Sequence, residues 1–199
     1  MTPRPLFLSA FLCAVLALGT APLSAQTAED PPASPDMLSL GEPAEDPEFG
    51  MPYVAEEFRD WQMRCVRTPE GDDPCQLYQL LRDEEGNSVA EISLFGLPEG
   101  QAAAAGATII TPLETLLTAQ ITMAIDGGTP RRYPFTWCAA IGCVARIGLT
   151  ADEITAMQRG GEARVTIVPV AAPDQPVSLR VSLLGFTAGL AAVNAANGL

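Results

Sequence analysis

The sequence predicts an all-β domain: an antiparallel β-sandwich or barrel of about eight strands, carrying two short helices. Three observations predict it. Apolar and polar residues alternate with period two through most of residues 58–199, the pattern of strands buried on one face. Turn-forming residues punctuate these runs. Four cysteines stand in two close pairs at the ends of runs, where they can staple neighbouring strands.

Taken in order, Trp61, Met63 and Cys65 alternate with Asp60, Gln62 and Arg64. Leu77, Gln79 and Leu81 follow Cys75, and Ala90, Ile92 and Leu94 alternate with Val89, Glu91 and Ser93. Ala119, Ile121, Met123 and Ile125 form the next run, then Tyr133, Phe135 and Trp137, then Cys143, Ala145 and Ile147. Val165 and Ile167 make a short set, and Val177, Leu179, Val181 and Leu183 the last. Glu85-Gly86-Asn87, Asp126-Gly127-Gly128 and Pro173-Asp174-Gln175-Pro176 supply turns between them.

Two helices interrupt the pattern. Thr150-Ala151-Asp152-Glu153 reads as a capping box, in which the Thr hydroxyl accepts from the N3 amide and the Glu reaches back. Ile154 and Met157 give that helix its apolar stripe, and Gly160-Gly161 ends it. In Gly185–Val193, Phe186, Leu190 and Val193 share one helical face, which suits packing on an open end or face of the sheet.

The N-terminal region has a different character. Arg4 precedes a 14-residue apolar core at 6–19, too short to span a bilayer, and Leu23-Ser24-Ala25 offers a cleavage point after Ala25. Residues 1–25 are therefore expected to be an export signal. Residues 26–57 hold nine acidic residues, six prolines and no arginine, a composition that cannot bury enough apolar surface to offset its ordering entropy. They are expected to form an acidic leader to a single domain at 58–199.

Composition excludes much chemistry. The chain has no histidine, and all 11 basic residues are arginine. Serine and cysteine triads, Cys/His zinc sites and Schiff-base lysines are thereby ruled out. No residue set points to a cofactor or metal, and carboxylates are what remains for catalysis. The net charge of −13 argues against nucleic acid and against an anionic membrane face, so membrane association is peripheral at most.

Two local disulfides, Cys65–Cys75 and Cys138–Cys143, fit an exported chain, each closing a short loop between strands. Cross-pairing, such as Cys65 to Cys138, is the alternative. Trp61 and Trp137, each near a cysteine, read as core packed on the disulfides or, alternatively, as an aromatic platform for sugar or peptide. Arg131-Arg132 can grip a carboxylate or phosphate, or form a surface pair. Asp126 can cap a turn or meet calcium. The adjacent carboxylates Glu56-Glu57, Asp72-Asp73 and Glu84-Glu85 read as solvated turn charge.

Phe58-Arg59-Asp60-Trp61-Gln62-Met63-Arg64-Cys65 with Cys75-Gln76-Leu77 resembles the opening of the invasion-associated locus B family. Ile125-Asp126-Gly127, Tyr133–Cys138, Ile141–Ala145 and the closing stretch from Val177-Ser178-Leu179 through Leu184–Leu190 are similar too. The likeness runs in order over about residues 56–194. One departure is Pro112-Leu113-Glu114, where the family has Pro-Leu-Gly. The resemblance implies an exported, mostly β protein of Gram-negative bacteria that acts by interaction, with no catalytic residues to carry over; some members are linked to host-cell entry. The expectation is a non-catalytic binding protein of the envelope, periplasmic or secreted, with a protein or glycan partner. The alternatives are a two-carboxylate glycan hydrolase or a structural envelope protein spaced by its leader.

Overall fold

Eleven strands form two antiparallel sheets among the described residues, which are Gly41 and 49–199 of this computed structural model. The run 49–199 lies within one unit, Glu45–Leu199; Gly41 lies in an N-terminal unit, Met1–Ala44. The expected export signal and the leader as far as residue 48 fall outside the described residues, Gly41 apart.

The larger sheet begins as a meander of β1 (Pro52–Phe58), β2 (Trp61–Val66), β3 (Cys75–Arg82), β4 (Ser88–Gly96) and β5 (Ala105–Thr111). The chain then supplies β6 (Ile121–Ile125) and β7 (Arg131–Tyr133) to the smaller sheet, and β8 (Trp137–Ala139) and β9 (Gly142–Leu149) to the larger. Helix α1 (Ala151–Arg159), β10 (Glu162–Ile167), β11 (Val177–Ser182) and helix α2 (Phe186–Ala196) complete it. The spatial orders are β1-β2-β3-β4-β5-β9-β8 and β11-β10-β6-β7. Neither sheet closes on itself, so the all-β expectation holds as a sandwich and not as a barrel.

Three differences raise the strand count above eight. Strand β1 occupies Pro52–Phe58, so the acidic leader ends earlier than residue 57, and Glu56 and Glu57 sit in an edge strand. Its side chains are mostly exposed and show no period-two contrast, and its pairing with β2 is made by backbone, so the strand is concealed in the sequence. Strand β5 is hidden by its alanines: Ala105, Ala107, Ile109 and Thr111 point inward with period two, but small residues carry little hydrophobic contrast. The expected run through Tyr133, Phe135 and Trp137 breaks at Pro134. Without an N–H, Pro134 cannot continue the ladder, and the chain passes from β7 on one sheet to β8 on the other.

Inward residues of both sheets fill one core, including Leu77, Leu81, Ile92, Ile109, Ile121, Val165 and Leu179. Helix α1 starts at Thr150 with both halves of the capping box formed: Glu153 N donates to Thr150 Oγ1 at 3.3 Å, and Thr150 N donates to Glu153 Oε2 at 2.8 Å. Helix α2 covers the inner side of β2, β3 and β4 with Phe186, Leu190 and Val193, the residues its spacing predicts. It packs tightly at Gly189, where a Cβ would stand 2.5 Å from Leu77 Cδ1.

A buried polar clamp joins the sheets. Trp61 Nε1 donates to Ser182 O at 2.8 Å, Gln79 Nε2 donates to the same carbonyl and to Asp60 O at 3.1 Å each, and Ser182 N donates to Gln79 Oε1 at 2.8 Å. Trp61 also meets Phe186, ring centroids 5.6 Å apart. Gly185, at φ +90°, lies against the Phe58 carbonyl with no room for a Cβ. The motif residues near Phe58 and those near Gly185 thus meet as one structural joint.

A candidate interaction surface

The inner side of the larger sheet is covered by the small sheet and α2; its outer side is where the site must be sought. Register places its outward side chains in rows. One row runs Glu57, Gln62, Tyr78, Ser93, Thr108, Arg146, from β1 to β9. The next runs Leu80, Glu91, Ile110, Val144, Trp137, from β3 to β8. The first is polar. The second is apolar except for Glu91, and it ends beside Ile141 in the β8–β9 turn.

That apolar row is accessible at its two ends, with Ile110 half-buried and Val144 buried between them. Leu80 is 41 % exposed, Trp137 42 % and Ile141 66 %. A shallow groove of about 220 Å³ runs along it, lined by Leu80, Val89, Glu91, Ile110, Pro112 and Ile141. Antiparallel sheets ordinarily show water a polar face, so a cluster of exposed aliphatic and aromatic side chains there makes this face the candidate interaction surface.

The polar row is internally tied. The Arg64 guanidinium lies 3.3 Å above the Tyr78 ring, Arg64 Nη2 donates to Gln62 Oε1 at 2.8 Å, and Tyr78 OH donates to Glu91 Oε2 at 2.9 Å. Burial, and then the Glu91 hydrogen bond, raise the Tyr78 phenol above its ordinary pKa. This network fixes Glu91 at the middle of the apolar row.

Both cysteine pairs are stapled locally. Cys65 and Cys75 are register partners on β2 and β3, and Cys138 and Cys143 on β8 and β9; each pair has Cα atoms 4.0 Å apart and forms a disulfide. The second matters for the surface, because β8 is three residues long and the hairpin it anchors carries both Trp137 and Ile141. At the first, Asn197 acts as an added strand residue: its amide accepts from Cys75 N and donates to Cys75 O, each at 2.9 Å.

The remaining candidates separate. Trp61 is fully buried, a core residue with its N–H consumed, whereas Trp137 stands on the outer face. Arg131 grips a carboxylate of its own chain, with Nε 3.2 Å from Glu153 Oε1; Arg132 is exposed on β7 and does not join it. Asp126 caps backbone, accepting from Gly161 N and Glu162 N at 3.0 and 3.1 Å. Asp73 accepts from Thr68 N and then Tyr53 OH, which pull its pKa down. Asp83 is lowered chiefly by the Asn87 amide. Burial pushes Glu153 up, but its bonds from Thr150, Tyr133 and Arg131 together leave it lowered. Burial, then the Glu153 charge, push Tyr133 up to about 12.

Sequence reasoning missed Leu80, Val89, Ile110 and Ile141 as surface residues, and Val144 as a buried residue on the outer side. A signal was present: Leu80-Leu81, Val89-Ala90, Ile109-Ile110 and Val144-Ala145 are apolar doublets that break the alternation, and each puts one member on the outer side.

Three comparisons bear on this arrangement. The family model described as invasion associated locus B (IalB) protein matches residues 61–194. Invasion protein B homologs of Brucella abortus, from strain 2308 and from biovar 1 strain 9-941, are each 24% identical over 146 residues, spanning 73% of this chain and 82% of the relative. The crystal structure of invasion associated protein B from Bartonella henselae superposes with a TM-score of 0.58 at 19% identity, covering 69% of this chain and 92% of that one. The superposition shows the shared fold, and the family match covers Trp61, Gln79 and Ser182 of the clamp, both disulfides and the outer rows from Gln62 on: the chain belongs to the invasion associated locus B family.

Proposed function

We propose that the chain is an exported, non-catalytic interaction protein of the bacterial envelope, periplasmic or secreted, which docks a partner protein on the outer face of its larger sheet. The observation that carries the reading is the exposed apolar set Leu80, Trp137 and Ile141 on one sheet face, bridged by half-buried Ile110 and held at one end by a disulfide. The row favours protein over glycan. Sugar sites set polar groups around an aromatic platform, whereas here aliphatic side chains surround a single exposed indole.

Two disulfides suit an oxidising compartment. No helix among the described residues is long and apolar enough to cross a membrane. Asp73, Asp83 and Glu153 are each shifted towards the charged form, opposite to the shift a general acid needs. The relatives named for invasion support a role in host-cell interaction.

The test is a photo-crosslinking residue placed at position 141 or 137 in cells that express the chain, with position 174 as control. The turn that holds Asp174 joins β10 and β11 of the smaller sheet, not strands of the larger one. A discrete adduct to one protein, formed from 141 and 137 but not from 174, is expected. Equal labelling from all three positions, or none, would refute the reading.

A further inference from the structure

We infer that a second copy of this chain covers the outer face when no other partner does, giving a two-fold dimer packed sheet against sheet. The inference rests on the same face as the partner reading. Three observations carry it.

The first is charge. On a chain of −13, the two outer rows with Arg64 beside them hold two carboxylates, Glu57 and Glu91, and two guanidiniums, Arg64 and Arg146. Two like-charged molecules repel least through such a balanced face. The second is symmetry. Strand β4 is the middle of the seven, so a two-fold axis along it exchanges β3 with β5 and lays Leu80 over Ile110 of the other copy. The same rotation brings Glu57, at one end of the polar row, to within about one strand spacing of Arg146 of the other copy. That pairing occurs twice. The third is size. Seven strands at about 4.8 Å, with about five residues of rise, give a footprint of roughly 30 by 17 Å, about 500 Å² on each copy; this is below the roughly 800 Å² per side of a standard interface and suits a weak dimer in exchange with monomer.

The axis also makes one unfavourable contact, since Glu91 on β4 meets its own copy. This gives the proposal a signature that a merely exposed patch lacks. Sedimentation of the full chain, purified from cells that express it, is expected to show monomer and dimer in exchange between micromolar and about millimolar concentration. Leu80→Asp should weaken the dimer at least about tenfold, because Leu80 lies over Ile110 of the other copy. Glu91→Gln should tighten it about fivefold, the scale of one like-charge pair in water. Circular dichroism of each variant controls for folding. A monomer throughout, or a dimer indifferent to both substitutions, overturns the proposal. A monomer that still cross-links another protein from position 141 removes the dimer and leaves the partner reading standing; a dimer that cross-links only itself does the reverse.

Discussion

The Ser182 carbonyl receives two buried donors, Trp61 Nε1 and Gln79 Nε2, and this makes the clamp's energetics separable. Replacing Gln79 with leucine keeps the volume but removes three hydrogen bonds. Ser182 O retains the indole donor, while Ser182 N loses its acceptor inside the protein. An orphaned buried N–H costs about 1–3 kcal/mol, and each lost bond about 1 kcal/mol net. Leucine burial offsets part of this, at about 1.5 kcal/mol or more. The expected loss is therefore about 2–3 kcal/mol. Trp61→Phe alone leaves Ser182 O with the Gln79 donor and costs the smaller core volume. In the double variant that carbonyl has no donor, so the two losses should exceed additivity by about 1 kcal/mol. Urea unfolding followed by circular dichroism, which needs neither tryptophan, reads all four corners of the cycle. Additivity within about 0.3 kcal/mol, or a Gln79→Leu loss below about 0.5 kcal/mol, would refute the clamp as a stabilising unit.

Gly185→Ala should prevent folding or cost more than about 3 kcal/mol, because it combines a left-handed backbone with a Cβ against the Phe58 carbonyl; soluble yield and circular dichroism check it. Tyr133 should be a late tyrosine to ionise, and Glu153→Gln should bring it earlier in an alkaline absorbance titration. Its folded pKa of about 12 lies above the ordinary 10, so the stability it contributes is complete below pH 10 and lost as pH rises towards 12. Glu153 acts in the opposite sense: its lowered pKa contributes stability above the ordinary carboxylate pKa, lost as pH falls through the folded value. Cys138→Ser with Cys143→Ser should cost about 2 kcal/mol by loop-closure entropy, and hydrogen exchange should show β8 losing protection before β3 or β4. Uniform loss across the sheet would contradict a local staple.

What could be read in advance followed contrast along the chain. Strands with large inward side chains, such as Leu77-Gln79-Leu81 and Ala90-Ile92-Leu94, announced themselves, as did the α1 capping box. Strand β1 did not, because its membership is a matter of backbone pairing at an edge, and β5 did not, because alanines fill its inward positions. The bend at Pro134 lay open in the residue type, but which sheet each half joins depends on partners distant in sequence. The two tryptophans show the limit for site residues. Both precede or follow a cysteine closely, yet Trp61 has inward parity beneath α2 and Trp137 lies on a three-residue strand facing out. Spacing to a cysteine carries no information about which side of a sheet is covered.

The joint between Phe58–Gln79 and Ser182–Asn197 also orders events in time. Bonds such as Trp61 to Ser182 and Cys75 to Asn197 span more than a hundred residues. A chain emerging from its N-terminal end can pair β1 through β5 as neighbours, but it leaves Trp61 and Leu77 uncovered until the last helix arrives. Cover for Trp61 and Leu77, and the partner of the Cys75 backbone, are supplied by the last residues of the chain, α2 and Asn197.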